Sequence, residues 1–496
     1  MQPLIILHTN DIHGRVEGLA RVATLVDRIR AENSDIPVLY FDLGDCEDTS
    51  SRLSNLTKGT AMHRLLTVAG CDAAAVGNAA WLRYGPQVLR EHAEAARYPL
   101  LLANLRAADG SLMPGIQPTA TLDLGRLRLG LVGVTAEMNN WARFFDMKAQ
   151  PALPLIRELS AALRQDGADA VILLSHMGLE TDRELAAGLQ EDIALIIGAH
   201  SHDLLPEGER VGRVLIAQAG DYAEHLGRLD VTWDGEQLAV SNATVLSVPD
   251  DVAPAARTLA EADVIEGEVE HFLDETIGEL VEPLSFATDR ECGVANLMAD
   301  VLRERMDADV AVVVAGQAFS GPLPAGPLRR VTLWDVCASS ANPGVVTLTG
   351  TQLTALLERG LDAELAAERP HSLRGGARGL MHLSGAAVRA GQILVDGKPL
   401  EPDREYRVAG SDFEFEPFWG YADADWDLHP GYEVPTILRE ALEDYLASHS
   451  PVRVELGRLH GTGWVVEGSR LEARPSRAAG ERTAPNSRSE GPVGVS

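Results

Sequence analysis

The chain has 496 residues, of which 45% are hydrophobic, enough for the cores of two to four domains. Its 43 basic and 73 acidic side chains give a net charge of -30, which repels phosphate backbones. These numbers argue against a nucleic-acid polymer as a partner. The four cysteines show neither C-x-x-C spacing nor the density of a disulfide scaffold, which favours a reducing compartment.

The first residues, Met1-Gln2-Pro3, stand directly before an apolar run. A signal peptide would place a basic segment and then a hydrophobic segment ahead of that run, and neither is present. No apolar run reaches the roughly 18 residues that a membrane-spanning helix needs. We therefore expect a cytoplasmic protein without a membrane partner.

Strand-like apolar runs alternate with helical patterns along the first part of the chain. This alternation is typical of parallel sheets with crossover helices and predicts an α/β (α+β) fold. Thr181 and Glu184 fit a capping box at a helix start. The predicted strands are the run that opens at Leu4, 36–42, 72–76, 100–103, 171–175, 193–197, 214–217 and 226–232, with a hairpin at 122–124 and 127–134. The predicted helices include 19–29, 60–68, 86–97 and 155–163.

Composition divides the chain into two domains, a linker and a tail. Residues 246–280, rich in Ala and Glu from 251 onward, predict a bridging helix between a first domain at 1–245 and a second at 281–465. Residues 466–496 contain few apolar side chains and predict a disordered tail. The second domain is predicted as mixed α/β, with helices at 295–306, 351–361 and 435–446 and strands at 310–314, 345–348, 380–384, 392–395 and 406–410.

Ligand-type side chains follow five of the predicted strands in the first domain. Because the carboxyl ends of parallel strands meet at one edge of a sheet, residues at these positions converge even when they are far apart in sequence. Seven residues form this set, namely Asp11, His13, Asp45, Asn78, His176, His200 and His202.

Seven nitrogen and oxygen ligands suit two cations about 3.5 to 4 Å apart that share a bridging carboxylate. Mixed imidazole and carboxylate ligation favours Mn, Zn, Fe or Co over calcium. The sequence therefore predicts a site for two divalent metal ions. Such a pair can hold a phosphoryl group and activate a water molecule.

The motifs around these ligands resemble those of the 5'-nucleotidase family of calcineurin-like metallophosphoesterases. They read His8-Thr9-Asn10-Asp11-Ile12-His13-Gly14, Gly44-Asp45, Gly77-Asn78, Ser175-His176-Met177-Gly178 and Gly198-Ala199-His200-Ser201-His202. The run from Gly321 to Pro327 and Leu383-Ser384-Gly385 match the C-terminal part of the family. The resemblance implies a four-layered metallophosphoesterase sandwich at 4–233 and a mixed α/β substrate-binding domain at about 276–460.

The family pattern, carried over motif by motif, implies a division of the seven ligands. Asp11, His13 and His202 would hold one metal, Asn78, His176 and His200 the other, and Asp45 would bridge them.

Several positions depart from the family pattern. The histidine that follows Gly-Asn in the family is Ala79 here, and the aspartate that orients it falls on Leu82 or Arg83. Arg83 could stabilise phosphoryl charge in their place, since a guanidinium binds phosphate oxygens bidentately, or it could be a solvated loop residue.

The substrate pocket implied by the family is also altered. Ser320 stands where an arginine is expected to hold the substrate, and Leu380 where an aromatic residue stacks on the base. Base stacking could instead come from another aromatic side chain, although aromatics more often pack in cores. The candidates are Phe413, Phe418, Trp419 and Tyr421.

The resulting expectation is a dinuclear-metal-dependent phosphoric ester hydrolase that acts on nucleotides or related small phosphoesters by metal-hydroxide attack. Loss of one positioned donor costs about 10² to 10³ in rate, so a slow enzyme is the expected outcome. Two alternatives stay open. The chain could be a metal-retaining but non-hydrolytic protein that binds a nucleotide or phosphorylated metabolite, or a hydrolase of non-nucleotide esters.

Overall fold

The structure is a computed structural model that describes residues 1–136, 145–337, 339–370 and 376–459. The predicted tail at 466–496 lies outside this range. In chain order, the N-terminal elements are β1 (Gln2–Thr9), α1 (Val16–Glu32), β2 (Val38–Asp42), α2 (Arg52–Leu56), α3 (Thr60–Ala69), β3 (Ala73–Ala75), α4 (Ala79–Tyr84), α5 (Val88–Ala95), β4 (Leu100–Leu101), β5 (Leu105–Arg106), β6 (Thr119–Asp123), β7 (Arg128–Thr135), β8 (Lys148–Ala149), α6 (Ala152–Gln165), β9 (Ala170–His176), α7 (Leu179–Gly188), β10 (Leu195–Ile197), β11 (Glu209–Val211), β12 (Val214–Ala217), β13 (His225–Trp233), β14 (Leu238–Ser247) and α8 (Ala256–Asp274).

Two six-stranded sheets form the centre of the N-terminal part. One has the strand order β14-β13-β1-β2-β3-β4 and the other β11-β12-β10-β9-β7-β6. Strands β1 to β4 run parallel, as do β7, β9, β10 and β12, while antiparallel strands close the edges. The predicted parallel sheets and the hairpin of β6 and β7 are confirmed.

The side chains of β1 show how the layers stack. Leu4 and Ile6 face the second sheet, whereas Ile5 and Leu7 face the helices, because successive side chains of a strand point to opposite faces. Both faces of the sheet are therefore buried, and this explains the continuous apolar run in the sequence. Helices cover the outer face of each sheet. The resulting helix, sheet, sheet, helix order confirms the expected four-layered sandwich.

Helix α8 lies within the segment for which a bridging helix was predicted. Its buried residues, among them Ile265 and Val269, pack in the core of the N-terminal part, against α1 and α3. Arg64 of α3 also donates hydrogen bonds to Glu261 and Glu268 of α8. The helix is thus attached to the first domain.

The C-terminal part is mixed α/β, as predicted. Its central sheet has the order β19-β16-β23-β18-β24, in which only β16 and β23 pair in parallel within the described residues. The elements are β15 (Thr276–Leu280), α9 (Gly293–Arg305), β16 (Val310–Val314), α10 (Ala315–Ala318), β17 (Gly326–Arg329), α11 (Arg330–Val336), β18 (Pro343–Thr349), α12 (Gly350–Gly360), α13 (Ala363–Ala367), β19 (Met381–Ser384), β20 (Ala386–Arg389), β21 (Gln392–Val395), β22 (Lys398–Pro399), β23 (Glu405–Ser411), α14 (Asp412–Phe415), β24 (Gly431–Tyr432) and α15 (Leu438–His449).

The predicted capping box at Thr181 was wrong. Helix α7 begins at Leu179, two residues earlier, so Thr181 lies inside its first turn. The N–H group of Leu179 donates instead to the hydroxyl of Ser201, 2.9 Å away in a different loop. A tertiary contact therefore replaces the local cap.

Within the described ranges, no helix has both the length and the apolar composition needed to cross a membrane.

Candidate metal centre

The loops that follow β1 and β2 run side by side and carry three of the seven predicted ligands. The N–H groups of Asp11 and His13 donate to the carbonyl oxygens of Gly44 and Asp45, both at 3.0 Å. A side chain at Gly44 would collide with the backbone of Gly77, with 2.5 Å from its Cβ to the nitrogen. The glycine is needed because the loop after β3 approaches the loop after β2 so closely.

Five of the seven predicted ligands have a left-handed backbone. Their φ angles are 51° for Asp11, 48° for His13, 51° for Asp45, 75° for His200 and 58° for His202. Side chains other than glycine seldom adopt this region, and each instance costs about 1 to 3 kcal/mol. Such strain concentrates at functional sites, where the surrounding structure holds the side chains in place.

One group of ligands comprises Asp11, His13 and His202. Nε2 of His202 lies 3.4 Å from Oδ1 of Asp11 and 3.1 Å from Nε2 of His13. All three ligand atoms lie within 4.8 Å of one another. Asp11 and His202 are far apart in sequence but close in space, because β1 and β10 end at the same edge of the two sheets.

A second group comprises Asp45, His176 and His200, again with ligand atoms within 4.8 Å of one another. Nε2 of His176 lies 3.3 Å from Oδ2 of Asp45 and 3.2 Å from Oδ1 of Asn78. Nδ1 of His176 donates to the carbonyl oxygen of Leu43 at 2.7 Å, so its Nε2 is the nitrogen presented to the group.

The carboxylate of Asp45 and the imidazole of His176 change each other's pKa. Burial opposes ionisation of Asp45, but the adjacent imidazole of His176 outweighs it and lowers the pKa of Asp45. Burial likewise opposes protonation of His176, but the carboxylate of Asp45 raises the pKa of His176 to about 9. Burial, followed by the charge of His176, lowers the pKa of His200. A cation bound here would replace the proton on Nε2 of His176.

The donor set fits a divalent metal pair. Asp11 is completely buried, and its Oδ1 has no hydrogen-bond partner among the described residues, whereas its Oδ2 accepts from the N–H of His200 at 3.0 Å. A buried carboxylate oxygen without a partner is costly unless a cation occupies the space beside it. That space also faces the imidazoles of His13 and His202.

Sequence reasoning missed the residues that orient these ligands. Asp221 lies 3.0 Å from Nδ1 of His202, and Asp48 lies 3.8 Å from Nδ1 of His13. Asn10 donates to Oδ2 of Asp11 at 2.8 Å and accepts from the N–H of Ala219. Of these three supporting residues, only Asn10 could have been found from the sequence, because it stands directly before Asp11.

Comparison with known proteins agrees with this architecture. Residues 276–422 match the model of the 5'-nucleotidase C-terminal domain. The metallophosphoesterase YunD of Bacillus subtilis (strain 168) is 27% identical over 82% of this chain and 91% of its own length. A 5'-nucleotidase of Diplobatis ommata is 26% identical over 60% of this chain and 58% of its own length.

The NAD nucleotidase of Haemophilus influenzae has the same fold. The two structures superpose with a TM-score of 0.55 at 15% identity, over 90% of this chain and 96% of the other. Its C-terminal domain thus matches the 5'-nucleotidase model, and the chain is similar in sequence to a metallophosphoesterase and a 5'-nucleotidase.

Ala79 stands at the position for which the family pattern predicts a histidine. It is the first residue of α4, and its side chain is half-buried. Its backbone N–H donates to Oδ1 of Asp45 at 2.8 Å. The residue therefore supports the metal loop through its backbone, while its methyl group offers no donor to a phosphoryl group.

Arg83 turns towards the C-terminal domain. Its guanidinium donates to the carbonyl oxygen of Pro435 at 3.2 Å and lies 3.8 Å from the carboxylate of Glu440. It also lies over the ring of Tyr84. Arg83 is therefore not a solvated loop residue. None of these contacts is with one of the seven ligands.

The four candidate stacking residues lie in different environments. Tyr421 is 1% exposed and belongs to the domain core, so it offers no face to a ligand. Phe418 is 87% exposed. Phe413 and Trp419 pack together, with ring centroids 4.3 Å apart, and both line a cavity of about 550 Å³. Of the four candidates, Phe413 and Trp419 therefore fit the predicted role of stacking on a base best.

Proposed function

We propose that the chain is a dinuclear-metal-dependent phosphoric ester hydrolase that acts on nucleotides or related small phosphoesters. The observation that carries the proposal is the gathering of the seven ligands into two groups, the first of which contains the buried Oδ1 of Asp11, an atom without a hydrogen-bond partner among the described residues. The names of relatives support the substrate class, since they include 5'-nucleotidases and a trifunctional nucleotide phosphoesterase.

The residues of the site would hold two cations, from among Mn, Zn, Fe and Co. When bound, such a pair polarises phosphoryl oxygens and supplies a nucleophile from water near neutral pH. Asp45, whose carboxylate lies next to His176 in the second group, would be the ligand shared by both cations. The carbonyl of Leu43 and the carboxylate of Asp221 orient the rings of His176 and His202.

We expect the site to stabilise the negative charge of the transferring phosphoryl group only weakly beside the metals. Ala79 supplies no side-chain donor, and Arg83 is engaged by Pro435 and Glu440. Loss of one positioned donor costs about 10² to 10³ in rate. We therefore propose slow turnover, with the chemistry carried by the metal site.

The lining of the C-terminal cavity supports a preference for substrates that place a neutral or cationic group in this cavity. Asp335, Asp412 and Glu416 line it together with Phe413 and Trp419, and no lysine or arginine occurs among the lining residues of the described chain. This lining favours a base or an amine over a second phosphate group. Non-nucleotide phosphoesters with such a group are a second candidate class for this reason.

The test uses protein purified with Mn²⁺ and assayed on AMP, other nucleotides, cyclic nucleotides, sugar phosphates and bis(p-nitrophenyl) phosphate. Asp45→Asn is the blank, and Asp263→Asn, on the exposed side of α8, is the matched control. We expect metal-dependent turnover that the blank lacks and the control retains. Nucleotide binding without turnover above the blank would reject the enzyme in favour of a binding protein.

The compartment is part of the proposal. The four cysteines are all buried and unpaired, which supports a cytoplasmic location. Fractionation of cells that produce the protein tests it.

A further inference from the structure

Directly behind the metal loop lies a second set of ligand-type side chains. Cys46 and Glu47 follow Asp45 in the loop after β2, His63 comes from α3 and His92 from α5. They are 1%, 6%, 5% and 1% exposed. None of them belongs to the seven ligands, and the proposed hydrolysis makes no use of them.

Their polar atoms are grouped around the carboxylate of Glu47. Oε1 of Glu47 lies 2.7 Å from Nε2 of His63 and 3.2 Å from Nδ1 of His92. Sγ of Cys46 lies 4.0 Å from Nε2 of His63. The ligand atoms of Cys46, Glu47 and His63 all lie within 4.8 Å of one another.

The outer nitrogens of both imidazoles have partners elsewhere. Nε2 of His92 lies 2.7 Å from the carbonyl oxygen of Lys58, so this nitrogen must carry a hydrogen and donate it. Nδ1 of the same ring then faces the carboxylate of Glu47. Two acceptors cannot face each other at 3.2 Å in a buried site, so either a second proton or a cation lies between them. Nδ1 of His63 is 2.9 Å from the hydroxyl of Tyr98.

The backbone closes this cluster on one side. Gly59 follows Lys58, has a φ of 89°, and leaves no room for a side chain. A Cβ there would lie 2.5 Å from Cγ of Glu47 and 2.9 Å from Nε2 of His92. Because all four side chains are also buried, the cluster is closed to a substrate-sized molecule.

We propose that Cys46, Glu47, His63 and His92 bind a third divalent cation, separate from the metal pair. One sulfur, two imidazole nitrogens and one carboxylate oxygen form a donor set that zinc prefers, and four protein ligands with no open position are typical of structural zinc. Burial of a thiolate and a carboxylate becomes favourable when both bind a cation.

The consequence of this third cation is a rigid metal loop. The carbonyl oxygen of Cys46 accepts the N–H of Gly14 at 2.8 Å, next to the bond from His13 to Asp45. A cation at Cys46 and Glu47 would therefore restrain both loops that carry Asp11, His13 and Asp45. The inference does not depend on the proposed hydrolysis, since it concerns metal content and not turnover.

Cobalt(II) is the probe, because only a site with a thiolate ligand gives thiolate-to-cobalt charge-transfer absorption. The predicted metal pair has nitrogen and oxygen ligands alone, so it cannot produce this band. The full chain is stripped of metal, reloaded with Co²⁺ and examined by absorption spectroscopy, and metal content per chain is measured by mass spectrometry. Cys46→Ser removes the sulfur, and Cys71→Ser is the matched control at another buried cysteine.

We expect the charge-transfer band in the parent and in Cys71→Ser, its loss in Cys46→Ser, and a metal content of three ions per chain that falls to two in His63→Gln. Asp11→Asn should keep the band, which separates this site from the metal pair. Absence of the band in the parent, or its survival in Cys46→Ser, overturns the proposal. The parent spectrum decides the question even where a variant fails to fold.

Discussion

The backbone N–H of Ala79 donates a hydrogen bond of 2.8 Å to Oδ1 of Asp45. The contact links the first residue of α4 to the carboxylate proposed to bridge the metals. Because the donor is a backbone group, the side chain at position 79 can be changed without removing it. The half-buried environment of Ala79 and Leu82 leaves both positions open to a restored histidine and aspartate.

The double variant Ala79→His/Leu82→Asp should therefore turn over faster than the parent. A positioned imidazole that stabilises the transferring phosphoryl group contributes at least about 10²-fold. Measurement of kcat with the best substrate checks this. Ala79→Phe/Leu82→Asp is the control, since its ring has a comparable size and no proton to share. Equal rates in the two variants would contradict the role assigned to the imidazole.

Asp221→Ala should weaken metal binding. The carboxylate of Asp221 lies 3.0 Å from Nδ1 of His202 and orients that ring towards Asp11. Loss of such a partner lowers metal affinity by about 10- to 100-fold. Titration calorimetry with Mn²⁺ measures the change, and Asp263→Ala on α8 serves as the control. An affinity equal to that of the parent would show that His202 needs no such support.

Arg83→Ala should lower turnover less than about tenfold, in contrast to the large loss that a phosphate-binding guanidinium would cause. The side chain is held by Pro435 and Glu440 on the other domain. Glu440→Gln, which alters the same contact, should give a similar effect. Steady-state kinetics on both variants decide between the two roles. A loss above a hundredfold in Arg83→Ala alone would restore the catalytic interpretation.

His382 should make the C-terminal domain sensitive to mild acid. The ring is completely buried, its Nδ1 donates to the carbonyl of Leu380, and its Nε2 accepts the N–H of Cys292 at 2.9 Å. Burial lowers the pKa of His382 to about 4 from an ordinary value of 6.5. The unfolded chain therefore binds the proton more readily than the folded one, and stability falls as the pH drops from 6.5 towards 4.

The size of this effect follows from the pKa difference and is about 3 kcal/mol of unfolding free energy across that window. Urea unfolding at pH 7.5, 5.5 and 4.5 measures it. His382→Gln removes the titrating group, so its unfolding free energy should fall less over the same range. Parallel pH profiles of the parent and variant would contradict the assignment.

Much of the metal centre could be predicted from sequence because the positions of its ligands follow from the topology of the sheets. Asp11 and His200 follow buried strands and His176 ends one, and the strands of an α/β sheet end at one edge. A regular rule thus brings together residues separated by more than 160 positions.

The supporting contacts could not be predicted in this way. Thr181 matched a local capping pattern, yet Ser201 caps the helix from another loop. Arg83 was expected either to stabilise phosphoryl charge or to be a solvated loop residue, yet its partner Glu440 lies on the last helix of the described chain. Each depends on how two distant segments meet, and no local pattern encodes that.

The sequence by itself therefore determined the alternating α/β class of the first domain and the candidate ligands, since both follow from strand periodicity and from what stands at strand ends. The four-layered arrangement was expected from the family resemblance. Only the tertiary structure decided which nitrogen of His176 faces the other candidate ligands, where Arg83 points, and that His63 and His92 meet Glu47. The physical reason is that hydrogen bonds and ion pairs require distances within a few tenths of an ångström, whereas hydrophobic patterning specifies only which face of an element is buried.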